Sequence, residues 1–310
     1  MNAKDRVAVC SRSFSRNPAL RAELQTRYKY VTFNDEGRQL EGLELVAFLR
    51  GHNKAITALE KITDHVLSQL PELEVIGKYG VGLDMIDMDS MRRYGKRLGW
   101  TGGVNRRSVS ELVIAFMISL LRHIPSVQVG VQSGVWSQRV GGLVSGRTIG
   151  IIGCGHIGKD LVTLLKPWGC TLLAYDILDI SNFYAVHGVE DVSLEDLLLR
   201  SDIVTLHVPL NDITRNMLSA ERLRLMKPGA ILINAARGGL LDEAEVKALL
   251  KSGRLAAAAF DVFNIEPPED LELLNLPNFM VTPHIGGSAE EAIIAMGLSA
   301  IEGLEVNAIP

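Results

Sequence analysis

Arg237, Glu266 and His284 lie far apart in the chain, yet each follows a short apolar run that reads as a buried strand, at residues 230–234, 255–260 and 279–282. The carboxyl ends of strands in a parallel sheet line one crevice, so the three side chains can converge there. Arg237 offers a permanent planar cation that can grip a carboxylate and polarise a carbonyl oxygen in the same fork. His284 can move a proton near neutral pH, and Glu266 beside it would orient the ring and favour its protonated form. Such a set suits hydride chemistry on a hydroxy acid, where a hydroxyl proton has to move as well. A lone arginine at a strand end is ordinarily a surface residue and a lone histidine a structural one. Their recurrence at successive strand ends, beside a nucleotide motif, carries the reading.

That motif is Gly153-Cys154-Gly155-His156-Ile157-Gly158, a G-x-G-x-x-G fingerprint. A β-branched run at 148–152 precedes it, a helix pattern at 159–166 follows, and a second strand at 171–175 closes on Asp176. Gly153 serves the tight turn, Gly155 the approach of a pyrophosphate to the backbone, and Gly158 the packing of helix on strand. Amides around His156 and Ile157, at the positive end of the helix dipole, make an anion site. Asp176 can accept from ribose hydroxyls, and no Arg or Lys stands between it and Asp179 to receive a 2′-phosphate. The expected cofactor is therefore NAD rather than NADP, and His156 is expected to contribute its backbone.

The elements that must position these groups belong to an ordinary globular α/β chain of 310 residues, long enough for two domains. Charged residues are 22% and the formal net charge is −4, so no basic field argues for nucleic acid or an anionic membrane. Cys10, Cys154 and Cys170 have neither metal-ligand spacing nor the even count of a disulfide framework, which fits a reducing compartment. No apolar leader or membrane-length run is evident. A cytoplasmic protein with a small-molecule partner and no metal is expected.

Residues 6–10, 44–50, 74–79 and 97–101 read as strands, with helices at 18–27 and 56–69 between them. Polar or glycine-bearing loops follow, at 11–15, 51–54 and 80–84, and bring Arg50, Lys54 and Lys78 forward as cations for a substrate with a second anionic group. Residues 108–122 read as a helix apolar nearly all round, capped by Ser108 with Glu111 and expected to lie either in the core or against a second subunit. The second half alternates helices at 194–200, 220–226, 243–251 and 289–304 with strands at 202–207 and the three named above. The expected architecture is a doubly wound parallel-sheet nucleotide domain of the Rossmann type, residues 102–283. It is inserted in a smaller flavodoxin-like α/β domain, residues 1–101 plus 284–310.

At these residues the chain resembles the D-2-hydroxyacid dehydrogenase family, in its phosphoglycerate-dehydrogenase-like branch. The resemblance covers 78–84, 134–136, 146–158, 207–210, 234–238, 261–268 and 283–287, in family order and spacing. It implies that Arg237, Glu266 and His284 are the catalytic trio and that Asp261 meets the nicotinamide carboxamide. Val208 and Pro209, after His207, would line the adenine side, with Thr214 near the diphosphate. Ala235, Ala236 and Gly286 complete the implied cofactor contacts. Val81 and Gly82 would offer amides to the substrate carboxylate, with Tyr79, Lys78 and Arg50 nearby. The chain departs from the family pattern at Asp84-Met85 and at Asn105-Arg106-Arg107-Ser108, in the stretches where relatives differ in substrate. The implied activity is hydride transfer between NAD and a small D-2-hydroxy or 2-oxo acid, a phosphorylated one of the 3-phosphoglycerate kind included; the apolar helix 108–122, costly to leave against water, adds the expectation of a homodimer built partly on it. Two other readings stay open: an NAD-sensing binding protein of the co-repressor type on the same fold, and an oxidoreductase of a non-carboxylate anion such as phosphite, bound by Lys78 and Arg237.

Overall fold

The computed structural model describes residues 2–310; Met1, the first residue of the expected smaller domain, lies outside the described residues. The chain divides into two compact units. One holds the residues up to Asn105 together with Gly287–Pro310, and the other holds Arg106–Gly286. His284 therefore falls in the second unit, not in the returning segment where the sequence reading put it.

The first unit is built on a parallel sheet of β1 (Asn2–Val9), β2 (Tyr28–Phe33), β3 (Lys54–Thr57), β4 (Val75–Lys78) and β5 (Arg97–Gly99), in the order β2-β1-β3-β4-β5. Side chains of β1 alternate between the two faces. Val7 and Val9 join one core cluster, with Phe14, Leu20 and Ile301, while Ala8 and Cys10 join the other, with Leu45, Val46 and Leu49. Both faces are covered, as a parallel sheet requires. The last helix, Glu290–Gly303, lies close on β4 because Gly77 carries no side chain: a Cβ there would collide with the Ala300 carbonyl.

Of residues 44–50, expected as a strand, 44–49 belong to helix Gly42–Leu49 and Arg50 is its C-cap. Leu45, Val46 and Leu49 share its buried face, a helical spacing hidden inside a short apolar run. The true strands flanking it are β2 and β3. Residues 56–69, expected as one helix, instead hold the end of β3 and the helix Asp64–Ser68.

The second unit has seven parallel strands: β6 (Thr148–Ile152), β7 (Thr171–Tyr175), β8 (Glu190–Asp191), β9 (Ile203–Leu206), β10 (Ala230–Asn234), β11 (Leu255–Phe260) and β12 (Phe279–Val281). Their order, β12-β11-β10-β9-β6-β7-β8, reverses direction between β6 and β9, the switch point of a doubly wound sheet. In β10, Ile231 and Ile233 face one cluster, and Ala230 and Leu232 the other.

The apolar helix spans Arg106–Leu121, two residues earlier than expected, so Ser108 is not its cap. Val113, Phe116 and Met117 are fully buried in the unit's own core. A second helix, Ile124–Gln132, buries none of its residues. No single helix among the described residues is long and apolar enough to cross a membrane. This bent pair passes on length and composition together, and its first helix is accounted for by the core it packs in.

Candidate active site

The fingerprint glycines divide by what surrounds them. Gly153 leaves β6 with φ +91°, and a Cβ there would sit 2.7 Å from both the His207 carbonyl oxygen and Val208 Cγ1, across the switch point. A Cβ on Gly158 would collide with the Gly153 carbonyl, so helix His156–Leu165 can pack on the turn only with glycine there. Gly155 differs: nothing lies within 4 Å of the position its Cβ would take. Open space at that glycine, at the start of a ten-residue helix with no side-chain cap, fits a phosphate group held by uncapped amides. The start of that helix includes His156 and Ile157.

Asp176 follows β7. Its Oδ2 accepts the Cys154 amide at 2.7 Å and its Oδ1 the Leu178 amide at 2.9 Å. These bonds fix the carboxylate against the glycine turn and leave lone pairs for ribose hydroxyls. The residues present thus fit NAD. Beneath the turn, burial pushes the Cys154 thiol up to about 11. His207 bonds the Thr205 hydroxyl through Nε2 at 2.9 Å, and its Nδ1 is buried without a partner among the described residues. Burial pushes this imidazole down to about 3, so it is neutral and is no proton donor at ordinary pH. The Thr214 hydroxyl donates to the Pro209 carbonyl at 2.6 Å, which gives it a role inside its own loop.

β10, β11 and β12 are neighbours, and the loops at their carboxyl ends carry Arg237, Glu266 and His284. His284 Nδ1 lies 2.9 Å from Glu266 Oε2, while Glu266 Oε1 accepts the Phe263 amide at 3.1 Å. The carboxylate is held from both sides, so it presents one oxygen to the ring. The Arg237 loop packs directly on this one: a Cβ on Gly238 would collide with the Phe263 carbonyl. Asn234 braces the turn, donating to the Arg237 carbonyl at 2.9 Å and accepting the Ala236 amide at 3.1 Å. The guanidinium donates to the Ala236 carbonyl at 2.7 Å.

Asp261 is 2% exposed and does more than its expected contact with a carboxamide would ask. Oδ1 accepts the Thr282 hydroxyl at 2.6 Å and the Ile285 amide at 2.7 Å; Oδ2 accepts the Gly286 amide at 2.8 Å. Its carbonyl accepts the His284 amide at 2.9 Å. His284 itself has φ +54°, a left-handed conformation unfavourable for a side-chain-bearing residue, and the Asp261 bonds hold it there. Sequence reasoning missed three further supports. Ser108 Oγ donates to the Gly286 carbonyl at 2.6 Å, Glu243 Oε1 accepts the Asn264 amide at 2.8 Å, and Thr282 bonds Asp261. Only Thr282, next to the Pro-His pair, carried a local signal.

In the first unit, Val81 and Gly82 lie half-buried in the loop after β4, and their amides are engaged by no other group among the described residues. Tyr79 is buried edge-on against Phe14. The Lys78 ammonium is buried and donates to the Ala58 carbonyl at 2.8 Å and the Tyr79 carbonyl at 3.1 Å. This is a structural use that weakens its assignment to a substrate or to phosphite. Arg50 caps the carboxyl end of helix Gly42–Leu49, and Lys54 opens β3. Both therefore stand at the amino edge of the sheet, opposite the edge expected of them, because the strand assumed before them is a helix.

Comparison with known proteins identifies the family of the chain. The family profile described as D-isomer specific 2-hydroxyacid dehydrogenase, NAD binding domain, matches residues 114–286. D-3-phosphoglycerate dehydrogenase of Methanocaldococcus jannaschii is 38% identical over 250 residues, 79% of this chain and 47% of that protein. Hydroxypyruvate reductase of Thermotoga maritima is 35% identical over 252 residues, 80% and 81% of the two chains. The chain spans about half the length of the first phosphoglycerate dehydrogenases it matches. Among solved structures, a D-isomer specific 2-hydroxyacid dehydrogenase from Polaromonas superposes with a TM-score of 0.89 at 29% identity, covering 97% of this chain and 95% of the other. With the profile spanning the glycine turn and all three strand-end loops, the chain belongs to the D-isomer specific 2-hydroxyacid dehydrogenase family and carries its NAD-binding domain.

Proposed function

We propose that this chain transfers hydride between NAD and a small D-2-hydroxy acid or the corresponding 2-oxo acid, with Arg237, Glu266 and His284 as its catalytic residues. The observation that carries the reading is the His284–Glu266 pair, 2.9 Å apart on loops after neighbouring strands and packed beside the Arg237 loop. When bound, NAD supplies or accepts the hydride at its nicotinamide ring. Arg237 grips the substrate carboxylate and polarises the 2-oxo oxygen as charge builds on it. In reduction, protonated His284 keeps Nδ1–H on Glu266 and gives its Nε2 proton to that oxygen. In oxidation, neutral His284 takes the hydroxyl proton at Nε2. Glu266 selects the tautomer and stabilises the imidazolium, and Asp261 keeps the ring's backbone in place.

The names of the relatives make 3-phosphohydroxypyruvate and hydroxypyruvate the first substrates to try. We further propose a cytoplasmic homodimer. Three free cysteines fit a reducing compartment, and the exposed apolar helix Ile124–Gln132 fits a second copy as its cover. The test of the activity is a panel of 2-oxo acids with NADH, followed at the nicotinamide absorbance. Turnover of several, abolished by His284→Ala, is expected; no turnover of any would refute the proposal.

A further inference from the structure

The helix Arg106–Leu121 opens on two arginines, at the positive end of its own dipole, with no acidic residue in its first turn. That start is locally unfavourable, and the structure shows what Arg107 does there. Its guanidinium meets Asp160 with two parallel hydrogen bonds, Nε to Oδ2 at 2.9 Å and Nη2 to Oδ1 at 2.8 Å. Asp160 belongs to helix His156–Leu165, one turn beyond the uncapped start of that helix, and its side chain is 9% exposed. Lys159, beside it in the chain, lies over the Phe183 ring.

Further residues at the start of the same helix reach the site. Ser110, three positions on and on the same face as Arg107, is fully buried and donates to the Ile157 carbonyl at 3.5 Å. Ser108, about 100° round the helix from Arg107, donates to the Gly286 carbonyl at 2.6 Å. Val109 packs there too, 3.5 Å from the position a Gly286 Cβ would take. The start of one helix thus holds the fingerprint helix on one side and the loop that carries His284 on the other. Behind it the two helices share a core, through Val113 and Met117 on one and Leu161, Val162 and Leu165 on the other. All of these contacts lie within the unit Arg106–Gly286.

We infer that Arg107 is a positioning residue for the cofactor site: its fork on Asp160 cancels a carboxylate near the phosphate-holding amides and locks that helix start to the turn that also holds the His284 loop. Unpaired, the Asp160 carboxylate would stand largely shielded from solvent at the helix end where a phosphate needs positive potential. A helix start free to shift would also move bound NAD against His284, and hydride and proton transfer require both to be held in register. The inference rests on the dehydrogenase reading above, and its test keeps the two apart.

The experiment titrates the substrate-free chain with NADH by fluorescence, then measures its melting temperature and its kcat and KM for a 2-oxo acid that the wild type turns over. The variants are Arg107→Gln, Arg107→Lys, Asp160→Asn and the double variant Arg107→Gln with Asp160→Asn. Arg107→Gln should raise the NADH Kd about three- to tenfold, more at low salt than at high, and lower kcat by a similar factor with KM for the 2-oxo acid unmoved. Its melting temperature should stay near the wild-type value, because an ion pair with one partner half exposed adds little stability. Arg107→Lys should recover part of both losses, keeping charge without the fork. In the double variant the NADH Kd should return toward the wild-type value, since the unpaired carboxylate is gone, while kcat stays as low as in Asp160→Asn, since the fork is still missing. A wild-type NADH Kd or an unmoved kcat in Arg107→Gln would overturn the inference, as would a double variant that binds NADH no better than Arg107→Gln, or losses that follow the melting temperature alone. If the wild type turns over no 2-oxo acid, the dehydrogenase reading falls and the NADH titration alone decides on Arg107.

Discussion

His284 sits in a left-handed backbone conformation because Asp261 leaves it little alternative, and this coupling makes the two residues separable by experiment. His284→Ala should lower kcat roughly 10²–10⁴-fold, the usual worth of general acid-base help, with NAD affinity unchanged in a fluorescence titration. Asp261→Asn touches no reacting atom in our account, yet it turns a carboxylate oxygen that accepts amide protons into a donor. We expect a lower melting temperature, since each buried group left unpaired costs about 1–3 kcal/mol. We also expect a lower kcat and a shifted pH–rate profile, because a displaced His284 loses its set distance to Glu266. A melting shift with an unmoved pH profile would reduce Asp261 to a purely structural role. Cys154 makes a third test at this scale. With its thiol pushed up to about 11 by burial, it stays protonated at neutral pH and should resist iodoacetamide in the folded chain, as intact-mass measurement would report.

Among the elements, the sequence was most readable where glycine punctuated it. The run β6, glycine turn, helix, β7 is as expected, because each glycine answers a steric demand that no other residue meets. Residues 44–50 misled because seven residues are too few to separate a helical from a strand period when most of them are apolar. Arg50 was misplaced along with them. The bracing of His284 by Asp261, and of Gly286 by Ser108, had no sequence signal, since it depends on which loops lie side by side. The two kinds of glycine yield opposite expectations. Gly153→Ala meets the His207 carbonyl and Val208 at 2.7 Å from a φ of +91°, so it should destabilise the fold by about 1–2 kcal/mol or more. Gly155→Ala meets nothing in the chain, so it should melt like the wild type while binding NAD about tenfold more weakly, a loss near 1.4 kcal/mol. Equal NAD affinity in Gly155→Ala would remove the phosphate from that turn. At the base of the same strand, Asp202 bonds the Thr148 amide and Lys227. Burial alone would raise this carboxyl, but the Lys227 ammonium and the amide outweigh it and hold it below 3.8. The stability it adds is present above that value and lost as pH falls through the lower folded one. Asp202→Asn should therefore melt below the wild type at neutral pH, and the gap should close in acid.

For the molecule as a whole, the insertion of one α/β unit in another was legible from the order of strand and helix signals, but the position of its exposed apolar surface was not. The helix Arg106–Leu121 drew attention because it is apolar nearly all round; its Phe116 and Met117 turn out to be 0% exposed, covered by the unit's own sheet. A charge placed at Phe116 would be buried unpaired and break the fold, which tells nothing about association. The apolar surface left uncovered comes next in the chain. It comprises Val129 and Val131 on helix Ile124–Gln132, then Trp136 at 85% and Val140 at 93% exposure. Such a concentration of large apolar side chains is costly to leave in water, and closed symmetric pairing is the common way to cover it. We therefore expect a dimer by light scattering at micromolar concentration, and a monomer when Val131→Glu is combined with Val140→Glu. The doubly substituted chain should keep its unfolding cooperativity, since neither residue supports the core. Phe116→Glu, by contrast, should fail to fold. A wild-type chain that scatters as a monomer, or a double variant that remains a dimer, would move the interface away from this surface.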